Sequence, residues 1–515
     1  MEFTIDQVEK KMIGKTVQFK ALVESVTQTG GPTLFTTTDG TGTLVIKAFD
    51  GAGVRAFPNV VEGMGVDALI ELREFQGAFE GEVLKMRALS PEHQQKLKEH
   101  IVYVQKKKAQ VEAIPFMAQS PILEKMKDRF VKAATEIRFA IMNNRPIIIR
   151  HHNDCDGYSS GYTLERAILP LIEKQHGFGK QLWQFFQRAP SMTPFYEIED
   201  AIKDASKALT GNAKFSEKMP LVLIVDNGSG TENLLSIKQG KVHGIDFIVV
   251  DHHAPEKDVI SDEVLVHINP FLVEEDGDKI SAGMLCTELA RFINKGHIEE
   301  IDYIPALSGL SDRINNPQLM DQYLKAAEKK GYTKQLLNDI SSVVEFVSSK
   351  LRFMEAREYV SVVFGEDIER QKALIGVIAP HIRKLQEKSL KIANALVKRE
   401  NHGHITLQLL DVEKSFSRNA YPKPGQTIGL LHDAYKEANK GVRLVSLALL
   451  SDVFVLRATD ESLFSVNEFI AHLDKACPEA FIEGGGHKNA GAIRFVPAKQ
   501  DEALRILREY LANLK

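Results

Sequence analysis

The sequence predicts a multidomain α/β protein: an N-terminal OB-fold β-barrel, a doubly wound parallel sheet, a helical linker and a C-terminal mixed α/β domain. Three observations predict it. Short strand-like segments punctuated by glycine crowd the first ninety residues. Buried apolar runs alternate with helical stretches from 145 to about 315, and residues 317–400 read as helices throughout. At 515 residues the chain exceeds what one core usually holds, which fits about three domains.

Residues 15–26, 33–38 and 42–48 are strand-like, with Asp39-Gly40-Thr41-Gly42 as a hairpin turn. Residues 68–75 and 81–86 add a second pair, and five short strands suit an OB-fold barrel. Phe35, Phe49, Phe75 and Phe79 are candidate stacking platforms for bases, with filling of the barrel interior as the alternative for each. Nine basic against twelve acidic residues in this segment weigh against phosphate binding there.

Residues 91–140 form a helical connector, and the stretch 91–150 carries twelve basic against six acidic residues. Its Lys106-Lys107-Lys108 triplet is either a solvated helix face or the track of a phosphate chain. Residues 141–316 supply the parallel sheet, with strands at 146–150, 221–225 and 247–250. The aromatic residues of the region 171–218, Trp183, Phe185 and Phe186, either stack bases or pack a helix, and packing is the favoured reading. After the linker, residues 401–515 return to mixed α/β, with strands near 405–410, 444–450 and 492–495 and a closing helix at 500–514. The expected boundaries are therefore 1–90, 91–140, 141–316, 317–400 and 401–515.

Composition narrows the class. A chain 43% hydrophobic, 26% charged and 8% aromatic excludes a collagen, a coiled-coil rod and a wholly disordered chain. Its longest apolar runs are too short to span a bilayer, and no signal peptide is visible, so no membrane partner is expected. Cys155, Cys286 and Cys477 are odd in number and far apart, which excludes a disulfide framework or a clustered zinc site and favours a reducing, cytoplasmic setting. A net charge of −4 argues against long non-specific tracking along duplex DNA, while leaving room for a local basic groove.

The chemistry lies where the buried strands end. Strand 146–150 runs into His151-His152-Asn153-Asp154-Cys155-Asp156-Gly157, strand 221–225 into Asp226-Asn227-Gly228, and strand 247–250 into Asp251-His252-His253. Asp312 follows the apolar helical stretch 304–310. Open α/β sheets bind ligands beyond the carboxyl ends of their strands, so three strands deliver carboxylates and imidazoles to one edge. Converging carboxylates repel unless cations neutralise them. A His/Asp donor set without thiolates suits Mn²⁺, with Mg²⁺ the weaker fit. Two such ions about 3.5–4 Å apart stabilise the entering and leaving oxygens of an in-line displacement at phosphorus. The reaction class is metal-assisted phosphoester or phosphoanhydride hydrolysis.

These motifs resemble those of the DHH phosphoesterases. His152-Asn153-Asp154-Cys155-Asp156-Gly157, Asp226, Asp251-His252-His253 and Asp312 stand in the family's order. Asn269-Pro270 and Ser281-Ala282-Gly283 fall where the family has a comparable turn. The C-terminal domain resembles the family's DHHA1 domain, with Gly484-Gly485-Gly486-His487 as its signature. The likeness covers 145–515 and is greatest to RecJ-type single-strand exonucleases and their archaeal relatives, including the nuclease associated with the GINS replication complex. The histidine that opens motif one here stands where many bacterial RecJ proteins have aspartate.

The resemblance implies two Mn²⁺ ions (Mg²⁺ being the other choice). His152, Asp154 and Asp226 would hold one, and Asp156, Asp226, His252 and Asp312 the other, with Asp226 bridging. Asp226, Asp251 and His253 would serve catalysis, His253 contacting the scissile phosphate and Asp251 orienting the histidines. Arg457, Gly484, Gly485, Gly486 and His487 would hold substrate, the glycines as a loop whose amides clamp an anion or terminal base. For Arg457 a structural salt bridge is the competing reading. The implied activity is an exonuclease on single-stranded DNA or RNA that releases mononucleotides in replication or repair. DNA and the 5′-to-3′ direction are favoured, although the motifs encode neither. The alternatives are a phosphodiesterase for short oligonucleotides or cyclic dinucleotides, and a replisome scaffold associated with GINS.

Overall fold

The computed structural model describes residues 3–514 apart from 76, 177–181, 192, 194, 216, 256, 298–299, 352–355 and 418–419. The chain divides into two compact units, one formed by residues 1–112 with 134–143, the other by 113–133 with 144–515.

In the first unit, five strands close into a barrel in the order β1-β2-β3-β5-β4: β1 Thr16–Gln28, β2 Thr33–Thr38, β3 Thr43–Ala48, β4 Gly65–Phe75 and β5 Ala78–Ala88. Only β3 and β5 pair in parallel. At the β2–β3 turn Gly40 takes φ +84°, and the Asp39 carboxylate accepts from the amides of Thr41 (2.8 Å) and Ile5 (2.7 Å). A Cβ at Gly40 would meet the backbone of Ile101 in the helix Pro91–Ala109, so the turn and that helix approach closely. The four phenylalanines divide. Phe35 fills the barrel and Phe79 packs against its core, whereas Phe49 is 67% and Phe75 56% exposed. Lys47 Nζ lies 4.3 Å from the Phe75 ring centroid. The lysine triplet is partly engaged, because Lys108 donates to the Thr41 carbonyl (2.6 Å) and Lys106 sits over Phe139.

The second unit holds two sheets. The first is parallel throughout, in the order β10-β9-β8-β6-β7: β6 Ile147–His151, β7 Phe186–Pro190, β8 Leu221–Val225, β9 Asp246–Val250 and β10 Val266–Ile268. β6, β8 and β9 are almost wholly buried, which is why they read as continuous apolar runs. Helices Cys155–His176, Ile198–Phe215 and Leu234–Val242 make the crossovers. β7 lies in a region read from sequence as helix packing. Its charge conceals it: Arg188, central in the strand, is buried and donates to Glu165 at 2.7 Å. The Trp183 side chain lies outside the described residues.

Charge is also buried in β6. Arg150 forms a two-pronged pair with Asp204 (3.0 and 2.6 Å), Asp200 lies 3.4 Å away, and Tyr196 donates to Asp204 at 3.0 Å. Truncating one member leaves uncompensated charge in the interior. Arg150→Ala is therefore expected to destabilise the unit by about 3–5 kcal/mol, read as a lowered urea midpoint with an unchanged slope.

Helices Pro317–Lys329, Lys334–Leu351, Arg357–Val363 and Ile368–Leu396 follow. The last sheet has the order β11-β12-β13-β14-β16-β15: β11 Lys398–His402, β12 Ile405–Asp411, β13 Leu444–Leu449, β14 Val453–Ala458, β15 Glu483–His487 and β16 Ala490–Arg494. The first three residues of β11, 398–400, fall in the stretch read as helix throughout. Its Lys-Arg-Glu-Asn-His sequence shows no apolar alternation because it is an edge strand. The glycine triplet is likewise no loop: Gly484–Gly486 lie in β15, the opposite edge, paired antiparallel with β16. A Cβ at Gly484 or Gly486 would strike β16 backbone, which accounts for glycine there. Among the described residues no helix is long and apolar enough to cross a membrane.

Candidate metal centre

The parallel sheet builds the site by register. His151 is level with Val225, and Val225 with Val250, so the three chains leave β6, β8 and β9 at the same height. His152, Asp226 and Asp251 are the next residues. Asp226 takes φ +57°, a left-handed conformation that costs a residue with a Cβ on the order of 1–3 kcal/mol. Its amide still donates to Val250 O at 2.9 Å, so the sheet holds the residue where its carboxylate serves both sides.

One carboxylate oxygen of Asp226 lies 3.5 Å from His152 Nδ1, which is 2.8 Å from Asp154 Oδ2. The other lies 3.5 Å from His252 Nε2, which is 3.7 Å from Asp156 Oδ2 and 3.2 Å from Asp312 Oδ2. Thus His152, Asp154 and Asp226 form one group, Asp156, His252 and Asp312 a second, and Asp226 touches both; His253 also lies near Asp226 and His252. Asp312 caps the helix Ile304–Ser311. Asp156, Asp226 and His252 are buried, while His152, Asp154, His253 and Asp312 keep one side open to solvent.

Neighbouring groups aim these side chains. His252 Nδ1 faces the Gly277 carbonyl at 2.9 Å, which as a donor leaves Nε2 to face the carboxylates and to serve as a ligand once its proton is displaced. Asp251 accepts from the amides of Ser229 (3.0 Å), His252 (2.8 Å) and His253 (3.2 Å), and from His253 Nδ1 at 2.8 Å. It organises the turn and fixes the His253 ring. Asn269 donates to the His253 carbonyl and to Ser229 Oγ. Asp156 accepts from the amides of Ala282 (2.9 Å) and Gly283 (2.8 Å) at the start of the helix Ala282–Ile293, and from Ser308. A Cβ at Gly283 would collide with Ser308 and Asp156, and one at Gly157 with the His152 backbone.

The electrostatics are those of crowded anions. Burial, then the charges of Asp226 and Asp312, push the Asp156 carboxyl well above its ordinary range. Burial and Asp154 raise Asp226. Burial opposes charge on His152 and His252, but the surrounding carboxylates win and hold both imidazoles well above the usual value. Burial likewise works against the Asp251 carboxylate, and His253 outweighs it, keeping Asp251 ionised.

This donor set fits divalent cations. Buried Asp226 Oδ2 and His152 Nδ1 form no well-aligned hydrogen bond although they face one another, as two lone-pair donors aimed at a common point would. Four carboxylates and two imidazoles without a thiolate suit Mn²⁺ and, less well, Mg²⁺.

The remaining sites lie in the last sheet. Arg457 projects from β14, half-buried; burial and then Arg313 lower its pKa, and Asp433 and Asp312 are the nearby acids. Among the described residues it has no ion-pair partner within 4 Å. The His487 side chain lies outside the described residues. Sequence reasoning missed Glu345, in the helix Lys334–Leu351. It is largely withdrawn from solvent beside motif one, and burial with the charge of Asp154 pushes it up to about 7. A carboxylate within Val343-Val344-Glu345-Phe346 was the available signal.

Residues 146–310 match the family model described as DHH family, N-terminal domain. An uncharacterised protein of Methanocaldococcus jannaschii is 34% identical over 538 residues, covering 99% of this chain and 70% of that relative. Among solved structures, the DHH domain of a member of the s1p family of ribosomal proteins matches at 36% identity with a TM-score of 0.79, covering 83% of this chain and all of that one. RecJ from Thermus thermophilus, in complex with Mn²⁺, matches at 15% identity with a TM-score of 0.53, covering 81% of this chain and 59% of that one, a likeness of fold.

Proposed function

The chain belongs to the DHH family of phosphoesterases, and on that footing we propose that it is a two-cation exonuclease that removes mononucleotides from the end of single-stranded nucleic acid. The observation that carries the reading is Asp226, one oxygen toward the His152 group and the other toward the His252 group. His152, Asp154 and Asp226 would hold one cation and Asp156, Asp226, His252 and Asp312 the other. Bound there, the pair supplies Lewis acidity to a phosphoryl group and lowers the pKa of water.

The chain's own residues do the rest. Asp251 keeps His253 turned so that the imidazole meets a phosphate on the solvent side of the cluster. Arg457, with no ion-pair partner within 4 Å among the described residues, offers a cation to the following phosphate. The outer edge of β15 offers backbone amides to the chain terminus, and its glycines let that terminus come close. Phe49 and Phe75 offer exposed rings on which nucleic-acid bases can stack. DNA is the favoured strand and 5′-to-3′ the favoured direction, and the Mn²⁺-bound RecJ of similar fold supports Mn²⁺ as the ion.

The test is cleavage of 5′-labelled and 3′-labelled single-stranded DNA and RNA in Mn²⁺. Mononucleotide release that vanishes in Asp226→Ala supports the reading, and the label lost first gives the direction. Preference for two- to four-nucleotide substrates over long strands would replace it with a short-oligonucleotide phosphodiesterase. Inactivity on every strand, with co-purification on replication proteins, would replace it with a scaffold.

A further inference from the structure

The last sheet, β11 to β16, and the helices packed on it form the second lobe of this unit, and two ties run from the cluster to one of its helices. The first passes through Glu345. One oxygen accepts from the amide of Cys155, the residue after Asp154, at 2.8 Å; the other accepts from Gln426 Nε2 at 3.0 Å. The second passes through Arg313, the residue after Asp312, which donates to Asp433 at 2.9 Å. Gln426 and Asp433 both belong to the helix Pro424–Ala438 and stand seven residues apart, so they share one face. That helix packs on β13 and β14, the strand of Arg457. Neither tie joins a candidate cation ligand directly. The first grips the backbone amide, and the second the side chain, of the residue immediately after one; Asp154 belongs to one ligand group and Asp312 to the other.

We propose that the helix Pro424–Ala438 is a positioning element: through Gln426 and Glu345, and through Asp433 and Arg313, it sets the backbone that carries Asp154 and Asp312, so that seating of the second lobe and cation binding favour one another. The inference rests on reading the cluster as the cation centre. Coupling of this kind is reciprocal: a seated lobe tightens cation binding to the degree that the cation steadies the lobe. The two ties are unequal. Glu345 is largely withdrawn from solvent, so loss of either bond leaves a shielded polar group unmatched. The Arg313 and Asp433 side chains are 70% and 41% exposed, and solvent screens their attraction. Gln426 and Glu345 therefore carry most of the coupling. They are positioning residues, since both act on motif one through the Cys155 amide.

The experiment uses the full chain, Mn²⁺ alone as probe, and two readouts: calorimetric affinity and hydrogen exchange of the peptides bearing Cys155, Arg313 and residues 424–433. Glu345→Ala is expected to weaken Mn²⁺ binding about 10–100-fold, the range found when a group supporting a metal ligand is removed. Glu345→Gln is expected to recover most of that loss. Its carbonyl can still accept from Cys155, and Gln426 can turn its own carbonyl toward the new amide. Gln426→Ala keeps the Glu345 carboxylate and removes only the second lobe's grip. It is expected to speed exchange at Cys155 and to weaken Mn²⁺ by up to about tenfold. Asp433→Ala is expected to speed exchange around Arg313 with a smaller change in affinity. In the wild type, Mn²⁺ should slow exchange in 424–433. If Gln426→Ala binds Mn²⁺ and exchanges at Cys155 as the wild type does, and Mn²⁺ leaves 424–433 unaltered, the inference is overturned alone. A wild type that binds no Mn²⁺ overturns the cation centre and the coupling together.

Discussion

Asp226→Ala is expected to lower phosphodiester hydrolysis by at least about a thousandfold, because several kcal/mol of stabilisation supplied by two cations is lost and each 1.36 kcal/mol is a factor of ten. Among the described residues no other side chain faces both ligand groups. Without its carboxylate, His152 and His252 look across a gap with nothing to hold two ions at a fixed separation. Asp226→Asn should fare little better: it keeps the shape and the left-handed backbone but removes the negative charge. The measurement is initial rate on an end-labelled oligonucleotide, together with Mn²⁺ stoichiometry. A variant within tenfold of the wild-type rate would show that the chemistry lies elsewhere.

The second large effect is on pH. In the metal-free protein the carboxylates hold His152 and His252 well above the ordinary imidazole value of 6.5, and Asp156 and Asp226 sit above theirs. Cations must therefore displace protons, and Mn²⁺ affinity should rise with pH by about tenfold per unit for each proton displaced. Stability runs the other way. Groups whose folded pKa is raised stabilise fully below their unfolded value, here 6.5 for the histidines, and lose that contribution as pH climbs through the folded value. Metal-free protein should thus melt lower at pH 9 than at pH 6, while Mn²⁺-loaded protein closes or reverses the difference. Calorimetry in two buffers of unlike ionisation enthalpy counts the protons released. Affinity that does not change between pH 6 and 8 would contradict this account.

Much of the architecture was legible because a buried parallel strand made of apolar residues stands out in the sequence. Leu221–Val225 is five apolar residues in a row, and the polar cluster after it has no structural reason to follow a core strand unless the strand end is used. The same logic exposed motif one and Asp251-His252-His253. What stayed hidden carried charge into the interior or depended on distant pairing. β7 is interrupted by Arg188, whose partner Glu165 lies on another element. β11 and β15 are edge strands, where the ladder rather than side-chain alternation makes the strand. The glycines of β15 read locally as a flexible loop, and only the approach of β16 explains them. Glu345 is the clearest omission in the site: an acid among Val343, Val344 and Phe346 signals burial but not that residue 155 lies against it.

The level endings of β6, β8 and β9 also bear on how such a site can change over time. Neighbouring strands in any sheet stand about 4.7–4.9 Å apart, so the spread between the groups they carry is a pitch inherited from backbone hydrogen bonding. Loops beyond the strands can lengthen and the second lobe can be remodelled without disturbing that ruler. An insertion within β8 alone would put Asp226 out of step with both neighbours at once. Lineages carrying this sheet are thus free to vary what they grip while the spacing between the ligand groups stays fixed.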